Sequence, residues 1–220
     1  MTEVKQDWYR NKTWNPQIEV EFEARLEKAR RLNKAQYIRI QAEEIKDHDQ
    51  NVAIRLFNRV LDEYKNDGDG LQYQFSLSAL GEIYLESGEY KKAEDCFRQL
   101  QNTPEGRYGH GFKHGVDGSD VKLVKTIIYS KQVDKYQEMY TLVKKHDVQM
   151  DFLKSLKFDF VYHASILCYE MGKLDEAKEY AQMAVELLND PIPSAYRHPG
   201  VGDIKLKGGE VELLNKILKS

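Results

Sequence analysis

The sequence has little cysteine and lacks any long apolar run. Only two cysteines, Cys96 and Cys168, occur in 220 residues, too few for a disulfide framework. They favour a reducing cytoplasm. No apolar run approaches the roughly 18 residues of a membrane span, and the first 14 residues lack the apolar core of a secretory signal. We therefore expect a soluble cytoplasmic protein that does not enter a membrane.

The chain also lacks a charge excess of either sign. It has 33 basic and 36 acidic residues, for a net charge of −3. Nucleic-acid binding proteins usually carry a basic face, so this balance gives no reason to expect a nucleic-acid partner. The charges are mixed in sign along the chain, as is typical of solvated helix faces.

Strand-like alternation of apolar and polar residues is absent over any long stretch. The glycines concentrate in the gaps 68–70, 106–118 and 200–209, and between the gaps the apolar period is helical. The helical positions are Leu77, Leu80 and Tyr84 in one segment, and Tyr90, Ala93, Phe97 and Leu100 in the next. We predict an all-α fold.

Two segments share one layout, LGEIYLESGEYKKAEDCF and HASILCYEMGKLDEAKEYAQMA. Each has a glycine at the expected turn, Gly88 or Gly172, which can adopt the left-handed conformation that ends a helix. Small residues at matching positions on both sides of the turn let two antiparallel helices approach closely; they are Gly81 with Ala93, and Ser165 with Ala177. The layout predicts two similar helical hairpins.

Residues 74–104 resemble a tetratricopeptide repeat, a helix–turn–helix unit of about 34 residues. The matching residues are Leu80, Gly81, Tyr84, Gly88, Tyr90, Ala93, Phe97 and nearly Pro104. Residues 158–191 resemble it more loosely, at Gly172, Leu174, Ala177, Ala184 and Pro191. The resemblance implies a protein- or peptide-binding scaffold whose first helices line a concave groove.

Two further hairpins can be aligned in register, one around Ala53 and one around Tyr136. His48 and Lys131 stand where the turn glycine is expected, and Tyr136 replaces the small alanine. The equivalent positions Ala53, Ala93, Tyr136 and Ala177 are 40, 43 and 41 residues apart. We therefore expect an irregular α-solenoid of about four hairpins, because each spacing exceeds the repeat length.

Terminal helices are predicted on both sides of the hairpins, where they can cover the apolar faces of the end repeats. Asn15 and Pro16 are typical of a helix start, and Ile18, Phe22 and Leu26 form its apolar stripe. Trp8 and Trp14 are expected to anchor the preceding arm. The last helix places Val211, Leu214, Ile217 and Leu218 on one face.

This organisation predicts one domain over residues 1–220. It comprises an N-terminal arm (1–17), a flexible insertion (103–118), a loop (190–209) and a C-terminal capping helix (210–219). The elements DWYRNKTW, KAQYIRIQA and YRHPGVG also give the whole chain a resemblance to a group of bacterial repeat proteins of unassigned function. That resemblance implies a bacterial origin and supplies no catalytic residues.

The stretch RYGHGFKHGVDG, residues 107–118, contains four glycines and two histidines. It fails the GxGxxG pattern at its last position, and no strand precedes it, so a phosphate cradle is disfavoured. His110 and His114 are weak metal candidates with Asp117 or Asp120 as further donors, because zinc needs a third protein ligand. We favour a flexible insertion, and no cofactor is expected.

The register of the first helices predicts which side chains face a partner. Tyrosines and charges of both signs occur there, which suits a protein or peptide segment. The predicted groove residues are Ser78, Glu82, Lys122, Lys125, Tyr129, Tyr162, His163, Ile166 and Tyr169. For His163, a packed and hydrogen-bonded histidine is the alternative interpretation.

A polar and aromatic cluster, Tyr196, Arg197 and His198, precedes Pro199 on a predicted loop. The loop either packs back to position the capping helix, which we favour, or lets Arg197 and His198 reach a partner carboxylate.

No nucleophile and base are arranged as a pair, so we expect no enzymatic activity. Two alternatives remain open beside a general binding scaffold. One is a regulator or toxin-neutralising protein that captures one specific partner. The other is a metal-dependent enzyme that uses His110 and His114. The sequence leaves the oligomeric state open.

Overall fold

The computed structural model describes residues 7–65, 70–102, 119–145, 153–193, 200–206 and 208–220. Within these ranges the regular structure is helical and contains no strand, which confirms the all-α prediction. The chain divides into two compact units, Met1–Lys113 and His114–Ser220. The predicted insertion 103–118 lies outside the described residues.

The first unit consists of a leading helix and two helical hairpins. Its helices are α1 (Pro16–Lys28), α2 (Arg31–Ile45), α3 (Gln50–Glu63), α4 (Leu71–Glu86) and α5 (Tyr90–Gln101). Helices α2 and α3 pair, α4 and α5 pair, and α4 also packs against both α2 and α3. Phe22, Ile38, Phe57 and Leu80 lie in one buried core that α1 to α4 share.

The second unit consists of two hairpins and a final helix. It contains α6 (Ser119–Tyr129), a 3-10 turn (Val133–Lys135), α7 (Tyr136–Lys145), α8 (Lys154–Glu170), α9 (Leu174–Asn189) and α10 (Glu210–Leu218). Helices α6 and α7 pair, α8 and α9 pair, and α6 packs against α8. Helix α10 covers α9 and part of α8.

Both terminal helices form where they are predicted. The Asn15 side chain accepts a hydrogen bond from the Ile18 backbone N–H at 2.9 Å, and Pro16 is the first residue of α1. At the other end, Leu214 and Ile217 of α10 are fully buried. Val211, in the first turn of α10, is 40% exposed, so the predicted face is buried at Leu214 and Ile217 and not at Val211. Fewer residues of this nine-residue helix are buried than its apolar pattern predicts.

The N-terminal arm is anchored by aromatic rings and one buried amide. The Trp8 ring lies 5.3 Å from Phe22 and 5.1 Å from Tyr37, and the Trp14 ring lies 5.4 Å from Phe22. The fully buried Gln41 of α2 accepts from the Asn11 backbone and side chain, both at 2.9 Å, and donates to the Asn11 carbonyl at 2.7 Å. The arm is therefore an integral part of the first unit, as the two tryptophans indicate.

Three of the hairpin turns share one hydrogen-bond pattern. At Gly88, Lys131 and Gly172 the turn residue is left-handed, with φ of 77°, 54° and 73°. In each case its N–H bonds three residues back and the next N–H bonds five residues back, as in a Schellman motif. Lys131 thus adopts the left-handed conformation that is expected of a glycine at this turn. Among the described residues, Lys131 is the one residue other than glycine whose φ is positive.

The remaining hairpin turn is built differently. His48 stands at the glycine position, yet its φ is not positive, and the backbone N–H groups of His48 and Asp49 both bond the Ile45 carbonyl. The Asp49 side chain then caps α3 by accepting from the Val52 N–H at 3.1 Å. An aspartate cap therefore replaces the left-handed turn in the first hairpin.

Replacement of Lys131 by glycine should stabilise the protein. The left-handed conformation costs a non-glycine residue about 1–2 kcal/mol, and the added chain entropy of glycine cancels about 0.5–1 kcal/mol of the gain. We expect Lys131→Gly to raise the free energy of unfolding by about 0.5–1 kcal/mol in urea titrations. The matched reverse variant, Gly172→Lys, should lower it by a similar amount. Equal stabilities for both variants would contradict this account.

The close approach of α4 and α5 depends on Gly81. A Cβ atom at Gly81 would lie 2.4 Å from Cε1 of Phe97, well inside van der Waals contact. Phe97 is fully buried and therefore cannot move aside without disturbing its neighbours. The small residue is thus required because an aromatic ring lies directly against the helix backbone.

Gly81→Ala should destabilise the protein although alanine is the better helix former. Overpacking costs about 1–3 kcal/mol, and the helix preference of alanine returns about 1 kcal/mol. We expect a net loss of about 1–2 kcal/mol in chemical unfolding. In a Phe97→Leu background the same change should cost clearly less, because the smaller side chain leaves room for the methyl group. An equal cost in both backgrounds would show that Phe97 is not the obstacle.

Tyr136 occupies the position of the expected small alanine in the third hairpin. The side chain is buried, and its hydroxyl donates a hydrogen bond to Glu170 at the end of α8. Burial and the neighbouring Glu170 carboxylate raise the pKa of Tyr136. The large residue therefore links α7 to the following hairpin, a role that alanine could not perform.

Candidate functional site

In the second unit, the predicted groove residues lie where α6 packs against α8. We name this surface the α6–α8 face and define it by Lys122, Lys125 and Tyr129 of α6 with Asp159, Tyr162 and His163 of α8. Five of the six are predicted groove residues. Asp159 is the addition, and its spacing of four residues before His163 is the helical signal that could have identified it. These first helices are therefore adjacent, as the repeat register predicts.

His163 is the centre of the face. Its side chain is 2% exposed and is hydrogen-bonded at both ring nitrogens. Nδ1 lies 2.7 Å from the backbone oxygen of Asp159 and 3.3 Å from Oδ1 of the same residue. Nε2 lies 3.2 Å from the Tyr129 hydroxyl, across the helix pair. The ring therefore connects a carboxylate on α8 to an exposed tyrosine on α6.

Asp159 is held ionised by the groups around it. Lys125 Nζ lies 3.7 Å from the Asp159 carboxylate, which is 35% exposed. Burial alone would raise the pKa of Asp159, but the hydrogen bond from His163 and the positive charges of Lys125 and Lys122 outweigh it and lower the pKa below its ordinary value. The carboxylate consequently balances the positive charge of α6.

Tyr129 is the exposed group of the face. It is 43% exposed, whereas Tyr162 and Ile166 are each 7% exposed. The Tyr162 ring stacks on Phe158 at 5.7 Å, and burial raises its pKa to about 12. His163, Tyr162 and Ile166 are therefore buried beneath the surface. Among the predicted groove residues of the α6–α8 face, Tyr129 has the most exposed side chain.

Tyr169, the last predicted groove residue of α8, is half-buried near α10. The ammonium group of Lys216 lies 5.5 Å above its ring, within cation–π distance. Helix α10 therefore covers this end of α8, and Tyr169 helps to hold the terminal helix.

In the first unit, Ser78 and Glu82 are half-buried on α4. Sequence reasoning missed Arg39 of α2, which donates to Gln72 of α4 at 2.7 Å and lies 5.2 Å above the ring of Phe75, also of α4. Phe75 lies three residues before Ser78 and seven before Glu82, so the helical register that predicts these two residues also places Phe75 on their face. These residues form a second polar surface across α2 and α4.

An open depression in the first unit is lined by four consecutive residues of the arm and by Glu44 of α2; the arm residues are Arg10, Asn11, Lys12 and Thr13. Arg10 Nη1 lies 2.5 Å from the Glu44 carboxylate, so the two opposite charges compensate each other. The depression thus offers no concentrated charge to a ligand.

Several predicted candidates lie outside the described residues, namely His110, His114, Asp117, Tyr196, Arg197 and His198. Within the described parts of the chain, no group of three histidine, cysteine, aspartate or glutamate side chains could hold a metal ion. Burial raises the pKa of the Cys96 and Cys168 thiols to about 11 each, which disfavours the reactive thiolate.

The α6–α8 face combines two lysines, one carboxylate and a tyrosine hydroxyl that is hydrogen-bonded to a buried imidazole. The paired α4 and α5 around the Gly81–Phe97 contact define a helical-hairpin repeat. Residues 76–102, which span most of this hairpin, match the family model of the tetratricopeptide repeat. The searches of curated proteins and of solved structures gave no match. None of the helices in the described ranges is long and apolar enough to cross a membrane.

Asp159→Asn should flatten the acid dependence of stability. The folded-state pKa of Asp159 is lowered, so the unfolded state binds the proton more tightly. Its contribution is therefore present above the unfolded pKa of about 3.9 and is lost as pH falls through the lower folded pKa. Urea unfolding from pH 5.5 to pH 2.5 should show a shallower decline for Asp159→Asn than for the unaltered protein.

The exposed carboxyl Glu179 of α9 offers a matched control for the loss of one charge. Glu179→Gln should retain the decline of the unaltered protein. If Asp159→Asn and Glu179→Gln decline in parallel, the ion pairs around Asp159 do not stabilise the folded state.

Proposed function

We propose that this chain is a non-catalytic scaffold that binds a protein or peptide segment at the α6–α8 face. The observation that carries the proposal is an exposed tyrosine, Tyr129, whose hydroxyl is fixed by the buried His163. The tetratricopeptide repeat match supports a scaffold, because stacked helical hairpins create extended binding surfaces.

The geometry of Tyr129 suits recognition. Tyrosine offers a large apolar ring and a polar tip, and it is enriched where proteins bind one another. The hydrogen bond to His163 and the Lys125 ammonium group, 5.8 Å from the ring centre, restrain its side chain before a partner arrives. A restrained side chain loses less conformational entropy on binding. Tyr129 is accordingly the anchor of the proposed site.

Charge around Tyr129 favours a polypeptide segment over a small anion. Lys122 and Lys125 are half-buried and act on the ionised Asp159, so one of the two positive charges is compensated locally. A small anion would therefore find less attraction here than two uncompensated lysines would give. The α2–α4 surface in the first unit is also mixed in sign, with Arg39 and Glu82 on neighbouring helices. Mixed surfaces of this kind match the alternating charges of a protein partner.

Tyr129→Ala should release the partner. Truncation of a central tyrosine in an interface costs about 2 kcal/mol or more, so we expect affinity to fall about thirtyfold or further. The measurement is quantitative affinity capture from a lysate of the source cells, followed by titration of the captured partner. If the unaltered protein captures a single partner at high affinity, a dedicated regulator is favoured. If it captures several partners, a general scaffold is favoured.

Tyr140→Ala is the matched control, because Tyr140 is a half-buried tyrosine of α7 that bonds Glu176 of α9 at 2.9 Å. It should retain the partner. Equal loss with both variants would indicate general destabilisation, which circular dichroism would reveal. Full retention by a folded Tyr129→Ala variant would exclude the α6–α8 face as the binding site.

A further inference from the structure

The hydrogen bonds of His163 determine where its protons lie. Both groups within reach of Nδ1, the Asp159 carbonyl and the Asp159 carboxylate, accept hydrogen bonds. Nδ1 must therefore carry the proton of a neutral ring, and Nε2 is then an acceptor with no hydrogen of its own. The Tyr129 hydroxyl, 3.2 Å from Nε2, is the donor of that bond.

We propose that His163 sets the hydrogen-bond polarity of the Tyr129 hydroxyl. With a neutral His163, the single O–H of Tyr129 is committed to Nε2, and every other group meets the hydroxyl oxygen as an acceptor. With a protonated His163, Nε2–H donates to the Tyr129 oxygen, and the tyrosine O–H turns to donate elsewhere. One proton on a buried ring thus exchanges the donor and acceptor roles of the hydroxyl of a partly exposed tyrosine.

This polarity specifies the chemistry of the group that Tyr129 recognises, a consequence that rests on the proposed function. With a neutral His163, the matching group is a donor, such as a backbone N–H, a side-chain amide, an ammonium or a guanidinium. A carboxylate or carbonyl becomes the matching group only after protonation. Histidine is the side chain that can exchange these two states by gaining or losing one ring proton.

Within the described residues, the charged and titratable groups around His163 come from α8 and α6, with one group of α10 beside Tyr162. Asp159 and Tyr162 lie on α8, and Lys122, Lys125 and Tyr129 face the ring from α6. Glu210 of α10 is near enough for its charge to act on Tyr162. The Asp159 carboxylate stabilises an imidazolium at 3.3 Å, and the two lysines oppose it. The pKa of Asp159 is lowered, so this carboxylate stays ionised beside the ring.

Nitrogen and carbon NMR on the full chain tests the proposal without any partner. In 15N-labelled protein at pH 8, long-range 1H–15N spectra should show His163 with a protonated Nδ1 and a bare Nε2, assigned by the signals that His163→Gln removes from among the six histidines. Tyr129→Phe should shift the Nε2 resonance downfield, because a bare nitrogen loses its hydrogen-bond donor. Detection of the Nε2–H tautomer at pH 8 would overturn the proposal.

The second readout is the Cζ carbon of Tyr129 during a pH titration. Its chemical shift should follow the titration of His163 in the unaltered protein, while Cζ of Tyr140, which bonds Glu176 instead, should not. A Tyr129 signal that ignores the His163 titration would also overturn the proposal. Because neither readout needs a binding partner, a failed capture experiment and a failed polarity switch are distinguishable results.

Discussion

The close contact of paired helices is the constraint on which the rest of the structure depends. In the α4–α5 hairpin, an aromatic ring lies so near the backbone of Gly81 that no side chain fits between them. The left-handed turn at Gly88 reverses the chain within a few residues and so returns α5 directly alongside α4. The small residue and the turn residue are consequently two parts of one requirement, which is why they recur together in the α8–α9 hairpin.

The same constraint explains why the fold could be predicted from sequence. Glycine at a turn, a small residue opposite a large one and helical apolar spacing are local patterns with direct physical meaning. The turn at Lys131 could be placed by register alone, although lysine gives no local signal for a left-handed conformation. The turn at His48 shows the limit of that method, because Asp49 provides a different way to end one helix and begin the next.

The candidate site could be predicted only in part. Register identified Tyr129 and His163 as members of one face, because both lie on first helices of neighbouring hairpins. It could not show that Tyr162 and Ile166 are buried while Tyr129 is exposed, since exposure depends on how neighbouring helices cover each position. It also omitted Asp159, whose role depends on its contact with His163. Burial and hydrogen-bond partners arise from tertiary packing, which a periodic pattern does not encode.

The amide of Gln41 has a consequence for where the first unit begins. Its oxygen and nitrogen are satisfied by the main chain and side chain of Asn11, and the Gln41 side chain is fully buried. Loss of that segment would remove these hydrogen bonds, each of which contributes about 0.5–1.5 kcal/mol net, together with the ring contacts of Trp8. The packed structure of the first unit therefore includes the irregular segment ahead of α1. A domain boundary placed at the start of α1 would omit Asn11, the residue that pairs with Gln41.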